Sequence, residues 1–215
     1  MSTIIRPQID TIEAKQKQRF QIISYEEVYA ALSILAPSMV CVSFLMKEKC
    51  LVPTKLACLA CMLHAPFSFV LHIHKAFSTN AVVRTLLYKF DVSFIHVQCL
   101  ITGYAWSNRV QYHQIIYNLF CILHIYQTDP LKNPNVKNKI DILTGLGVVD
   151  TSLGLLFRNI PHWTIAFFMW VILFRIYNKK LAGTHSSWIM HVMLAGPQYL
   201  VLNAFHYSIP TFGYM

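Results

Sequence analysis

The chain has 215 residues, of which 55% are hydrophobic and 13% charged, with a formal net charge of +9. Soluble domains carry about 25% charged residues, so this composition cannot cover a water-soluble globule of this size and excludes one. The excess Lys and Arg residues are scattered singly. A nucleic-acid surface needs a dense basic block or aromatic–basic interleaving, so no nucleic-acid partner is expected.

Residues 1–24 are polar and of mixed charge. Lacking an apolar stretch, they predict no cleavable signal peptide. Residues 25–215 read as one transmembrane domain, because the apolar residues fall in runs near bilayer length, about 20 residues each. The runs predict seven helices over 27–46, 54–74, 86–106, 111–127, 140–157, 162–178 and 186–208. The expected fold is all-α: a polytopic membrane protein with a seven-transmembrane-helix bundle.

The second helix holds Cys58 and Cys61, a C-x-x-C with no second pair to make a zinc ribbon. With Cys41, Cys50, Cys99 and Cys121 they read as small hydrophobes. The same helix ends in Ser68-Phe-Val-Leu-His72, and the third opens with Asp91 shortly inside it. The fourth is short and carries His113 and His124. The segment Asp129 to Lys139 is a loop by its Pro and Asn content. The fifth helix contains Gly145, Gly147 and Asp150, and the seventh begins Gly183-Thr-His185-Ser-Ser187-Trp188-Ile-Met-His191. Trp106, Tyr112, Trp163 and Tyr177 stand at helix ends, where interfacial anchors belong.

Alternating the helices up and down places Arg6, Lys15, Lys17, Arg19, Lys75, Arg84, Lys89, Lys132, Lys137, Lys139, Arg175, Lys179 and Lys180 on one side. Lys47, Lys49, Lys55, Arg109 and Arg158 fall on the other. The positive-inside rule then sets the N-terminus in the cytoplasm and the C-terminus outside or in a lumen. Endomembranes and the plasma membrane share this pattern.

Asp91 and Asp150 lie well within the predicted helices, where an unpaired Asp costs roughly 2.5–3.5 kcal/mol. Four residues make one turn, so Ser68 and His72 share a face. The topology sets His72 at the cytoplasmic end of its helix, and Asp91, His185 and His191 at the cytoplasmic starts of theirs. Three imidazoles near a carboxylate suit a zinc ion with an open position for water. Plainer roles exist for each residue. Asp91 has Lys89 and Arg84 as ion-pair partners, Ser68 suits close helix packing, and Asp150 suits a hydrogen bond within the bundle. His64 and His74 read as interfacial or packing residues. His72 with His124 is the pair that a haem carrier of the cytochrome b type requires.

The Ser68-x-x-x-His72 motif, Asp91 nineteen residues on, and the histidines opening the last helix resemble the CREST superfamily of seven-helix membrane hydrolases. That group includes the alkaline ceramidases and the progestin and adipoQ receptors, and the spacing is most similar to the latter. The resemblance implies zinc held by His72, His185 and His191, with Asp91 orienting a water and Ser68 supporting it. It also implies hydrolysis of a lipid amide, ceramide-like, within the membrane. The chain departs from the family's final H-x-x-x-H: Ile189 lies four residues after His185, and Ser187 four before His191. Six residues apart, His185 and His191 face about 120° away from one another on an ideal helix. Two other readings follow. One is a non-catalytic relative acting as a receptor or scaffold; the other is a small transporter or channel with Asp91 and Asp150 in a polar path.

Overall fold

The computed structural model describes residues 24–107, 109–156 and 159–208, and among them there is no strand. The helices are α1 (Tyr25–Ser33), α2 (Leu35–Leu45), α3 (Val52–Phe77), α4 (Ala81–Ser107), α5 (Tyr112–Gln127), α6 (Pro134–Leu156), α7 (Ile160–Asn178) and α8 (Ser186–Ser208). A short helical turn, Gly183–His185, precedes α8. Together α1 and α2 fill the first predicted segment, and the other six fill the rest. The polar 1–24 segment, with its four basic residues, and Arg158 lie outside the described residues apart from Ser24.

Two helices run past their apolar stretches into polar sequence. In α4, the Asn80 side-chain oxygen accepts from the Val82 and Val83 amides at 3.1 and 3.2 Å, capping a helix that starts five residues before the predicted one. In α6, Pro134 occupies the first position, where its missing N–H is no loss. The amide of Asn135 donates to the Asn133 side chain at 3.0 Å. Hydropathy marks where a helix is apolar; caps mark where it begins.

The first helix breaks for a local reason. Pro37 has no N–H to give to the Ser33 carbonyl, and its ring crowds that carbonyl. The backbone turns at Ile34, whose amide bonds to Ala31 rather than to Ala30. That leaves the Ala30 carbonyl open to other donors.

Three helices are long and apolar enough to cross a membrane by length and composition: Tyr25–Leu45, Val52–Phe77 and Ile160–Asn178. In α4 and α6, Arg84, Lys89, Asp91, Lys137, Lys139, Asp141 and Asp150 dilute the apolar character. The 16 residues of α5 extend about 24 Å, less than the roughly 30 Å hydrocarbon core.

The outer surface is far more apolar than that of a soluble protein, and several polar side chains lie inside among the apolar core. Thr54, His96, Asn118 and Ser152 are fully buried, while Ile116, Phe120, Leu123, Phe168 and Ile172 face outward. Water would penalise such a surface, whereas lipid accepts it and rewards an interior whose polar groups find partners. The protein is a membrane protein.

Packing follows a ring: α1 and α2 lie on α3 and α8, α3 on α4, α4 on α5 and α6, and α7 joins α6 to α8. Small residues allow the closest approaches. A Cβ on Gly103 would meet the Gln114 side-chain amide, which fills the space the glycine leaves on α4. One apolar core lies between α2, α3 and α8, around Phe44, Cys58 and Leu202. A second lies at the other end, around Leu71, Tyr88, Val92, Ile125 and Ile140.

Candidate functional site

A cluster of titratable side chains joins α1, α3, α4 and α8. His64, Ser68 and His72 recur every fourth residue of α3 and so form one stripe. Ser68 and His72 are buried. His64 Nε2 stands 2.8 Å from Asp91 Oδ1 on α4, and both side chains are largely enclosed. The Ser68 hydroxyl, one turn along, also interacts with that carboxylate. The ion pairs open to Asp91 in the sequence, with Lys89 or Arg84, do not form. Lys89 donates instead to the Tyr126 carbonyl at 3.1 Å.

His72 Nδ1 lies 2.5 Å from Glu27 Oε2 on α1. On α8, His191 Nδ1 lies 3.1 Å from the Ala30 carbonyl and 3.1 Å from Ser33 Oγ. Ser33 itself donates to Ala30 at 2.7 Å. The two imidazoles meet edge to face, with centroids 5.2 Å apart.

These contacts fix the tautomers. A carbonyl and a carboxylate only accept, so each Nδ1 carries the proton and donates it. Each Nε2 is left with its lone pair, the state of a metal ligand or a proton acceptor. The break at Ile34 is what makes the Ala30 carbonyl available, so Pro37 acts on His191 through a carbonyl seven residues before it in the chain.

Of the residues singled out in the sequence, the structure gathers Ser68, His72, Asp91 and His191 into this cluster. His185 is held elsewhere: its Nδ1 lies 2.9 Å from Glu26 Oε2, and its ring packs on Trp188 at 5.9 Å, both on the exposed side. Among the described residues, no three His, Cys, Asp or Glu side chains stand together as a ready-made metal group. The His72 and His191 rings are each oriented through Nδ1, which leaves the two Nε2 atoms without a protein partner in these contacts. His124 stacks on Phe120, and the ring against His72 is that of His191.

Sequence reasoning passed over Glu27 and Ser33 and took His64 for an interfacial or packing residue, whereas its ring bonds Asp91. His64 was legible, since it extends the Ser68–His72 spacing backwards by one turn. Glu27 sits at the rim of the first helix, 45 residues from its partner, and nothing in the spacing announces it.

A second polar group lies between α4, α5 and α6. His96 Nδ1 donates to Asn118 Oδ1 at 2.8 Å, and Asn118 in turn donates to the Gln114 carbonyl at 2.8 Å. Thr144 Oγ1 stands 3.3 Å from the other nitrogen of His96. The Gln114 amide donates to the Asp150 carbonyl at 3.3 Å, and the Asp150 carboxylate faces His113 at 3.6 Å. These bonds tie three helices together around the buried His96 and Asn118.

No family model, no curated protein and no solved structure matches the chain. Its class therefore rests on its own geometry: an all-helical membrane protein with an enclosed imidazole–carboxylate cluster.

Proposed function

We propose that the protein is a zinc-dependent intramembrane hydrolase acting on a lipid amide of the ceramide type. In this reading all seven helical rods cross the bilayer, in an endomembrane or the plasma membrane, with the N-terminus in the cytoplasm. The cluster then lies in the cytoplasmic leaflet, because the start of α1, the end of α3 and the starts of α4 and α8 share one side. The observation that carries the reading is the pair of imidazoles, His72 and His191, each with Nδ1 tied to an acceptor. Oxygen acceptors behind ligating histidines are the usual second layer of a zinc site. The resemblance of Ser68, His72 and Asp91 to the CREST pattern points the same way.

Zinc, when bound, supplies Lewis acidity and lowers the pKa of a water toward ~7. The protein's own groups do the rest. His72 and His191 present Nε2 lone pairs; Glu27 and the Ala30 carbonyl hold their rings. Asp91 is placed to accept a hydrogen bond from water and set its direction. His64, with Nε2 2.8 Å from Oδ1, and Ser68 hold that carboxylate in place. Lipid around the site excludes bulk water, which strengthens each of these contacts.

The test is turnover by purified protein of a ceramide in mixed micelles, followed by release of fatty acid. Wild type should turn over, and His72→Ala and Asp91→Asn should lose at least about 100-fold, the size of a general acid–base contribution. Equal rates for all three would end the hydrolase reading.

One observation favours a second reading. His185 is bound to Glu26, which leaves His72 and His191 as the two of the three expected zinc-ligand imidazoles that enter the cluster. A chain without zinc would then be a non-catalytic receptor or scaffold that recognises a lipid through the same polar residues.

A further inference from the structure

The cations at the same end of the bundle are unevenly matched. Lys137 bonds Asp141 at 2.5 Å, and Tyr88 donates to the same carboxylate at 3.0 Å. Lys75 is different. Its nearest acid, Glu27, is 4.0 Å away and already committed to His72 at 2.5 Å. Lys75 also feels the like charges of Arg84 and Lys137, along with the Asp91 carboxylate inside the site. Among the described residues Arg84 has no acidic partner within ion-pair distance.

Arg84 stands in the first turn of α4, a 27-residue helix with no acid in that turn. The helix N-terminus is itself positive, so a cation there adds to the unfavourable potential. Beside Lys75 and Arg84, the side chains of Phe77, Val82 and Leu86 are exposed at 62%, 80% and 48%. A loosely paired Lys75, Arg84 without an acid, a helix N-terminus and a fringe of exposed apolar side chains thus share the turn between α3 and α4. An anion bridging the cations relieves their repulsion, and an acyl chain covers the apolar fringe.

We propose that this turn receives the phosphate of a lipid headgroup, so that the lipid handled by the cluster carries a phosphate as well as an amide. The inference rests on the hydrolase reading for the amide and on Lys75 and Arg84 for the phosphate. Through Glu27 and Asp91, the electrostatic reach of Lys75 connects the two. A phosphate held there leaves the body of the lipid to extend toward His72 and His191.

The test uses the full chain in phosphatidylcholine nanodiscs and a matched pair of probes, a ceramide and its phosphorylated form with the same acyl chain. Native mass spectrometry counts the lipid retained, intact or as its sphingoid product. Wild type should retain the phosphorylated form about 30-fold better, the effect of two basic residues at a charged membrane surface. K75A/R84A should lose the preference, and K75R/R84K should keep it, which separates charge from folding. K179A/K180A, removing two exposed lysines of the same leaflet, should leave it unchanged.

Equal retention of the two lipids by wild type overturns the proposal, and so does an equal loss in K179A/K180A, which marks general surface attraction. Displacement of the lipid by millimolar inorganic phosphate overturns it too, by assigning the cations to a soluble anion. Zinc content is read on the same samples. A phosphate preference without zinc supports the headgroup site and sinks the hydrolase, while zinc without the preference does the reverse.

Discussion

Glu27 acts on His72 as the Ala30 carbonyl acts on His191: each accepts a hydrogen bond from Nδ1–H and so sets which nitrogen is free. The two acceptors differ in charge. A carboxylate raises the basicity of the ring it faces more than a carbonyl does, so removing it should weaken any metal held through Nε2. Glu27→Ala should lower zinc affinity by about 10- to 100-fold, the usual effect of losing such a partner. Glu26→Ala, one residue away but bonded to His185 on the exposed side, should leave it unchanged. Titration with a competing chelator measures both. If the two variants behave alike, Glu27 does not orient His72.

At the scale of the helix, the site depends on a fault. Pro37 breaks the first helix at Ile34, and the break frees the carbonyl that His191 uses. Pro37→Ala restores an N–H for the Ser33 carbonyl and removes the crowding, which should stabilise the helix by up to about 3 kcal/mol. A continuous helix re-engages the Ala30 carbonyl with the Ile34 amide. The variant should therefore melt higher and hold zinc less tightly, a combination that thermal denaturation and metal titration together detect. A variant that holds zinc as well as wild type would separate the break from the site.

The same elements show how far the sequence could be read. The seven helical segments were legible because apolar runs, loop prolines and asparagines mark them directly. Their starts were less so: α4 and α6 begin inside polar sequence, where capping by Asn80 and the position of Pro134 decide the boundary. Ser68, His72, Asp91 and His191 could be placed on one level by counting alternations. His185 could not be separated from them that way. It belongs to the turn before α8, and its ring goes to Glu26, a pairing across 159 residues that spacing does not encode. Glu27 was hidden for the same reason.

The molecule is a ring of helices with an apolar outer face, two apolar cores and buried polar groups between them, its titratable cluster gathered toward one end. If every rod crosses the bilayer, the loops alternate sides, and single cysteines placed in them report it. Lys47→Cys, on the α2–α3 connection, should react with a membrane-impermeant maleimide on the extracytoplasmic side. Lys132→Cys, on the α5–α6 connection, should react only after permeabilisation. The opposite pattern inverts the orientation, and labelling of both from one side removes the alternation.

In the proposed site His72 and His191 present two nitrogen lone pairs to one metal ion. The direct measurement is the zinc content of purified protein by inductively coupled plasma mass spectrometry, wild type beside His72→Ala/His191→Ala. Wild type should carry about one zinc per chain and the double variant near none, as a single mononuclear site requires. Zinc far below one per chain in wild type, or unchanged when both imidazoles are gone, would contradict it.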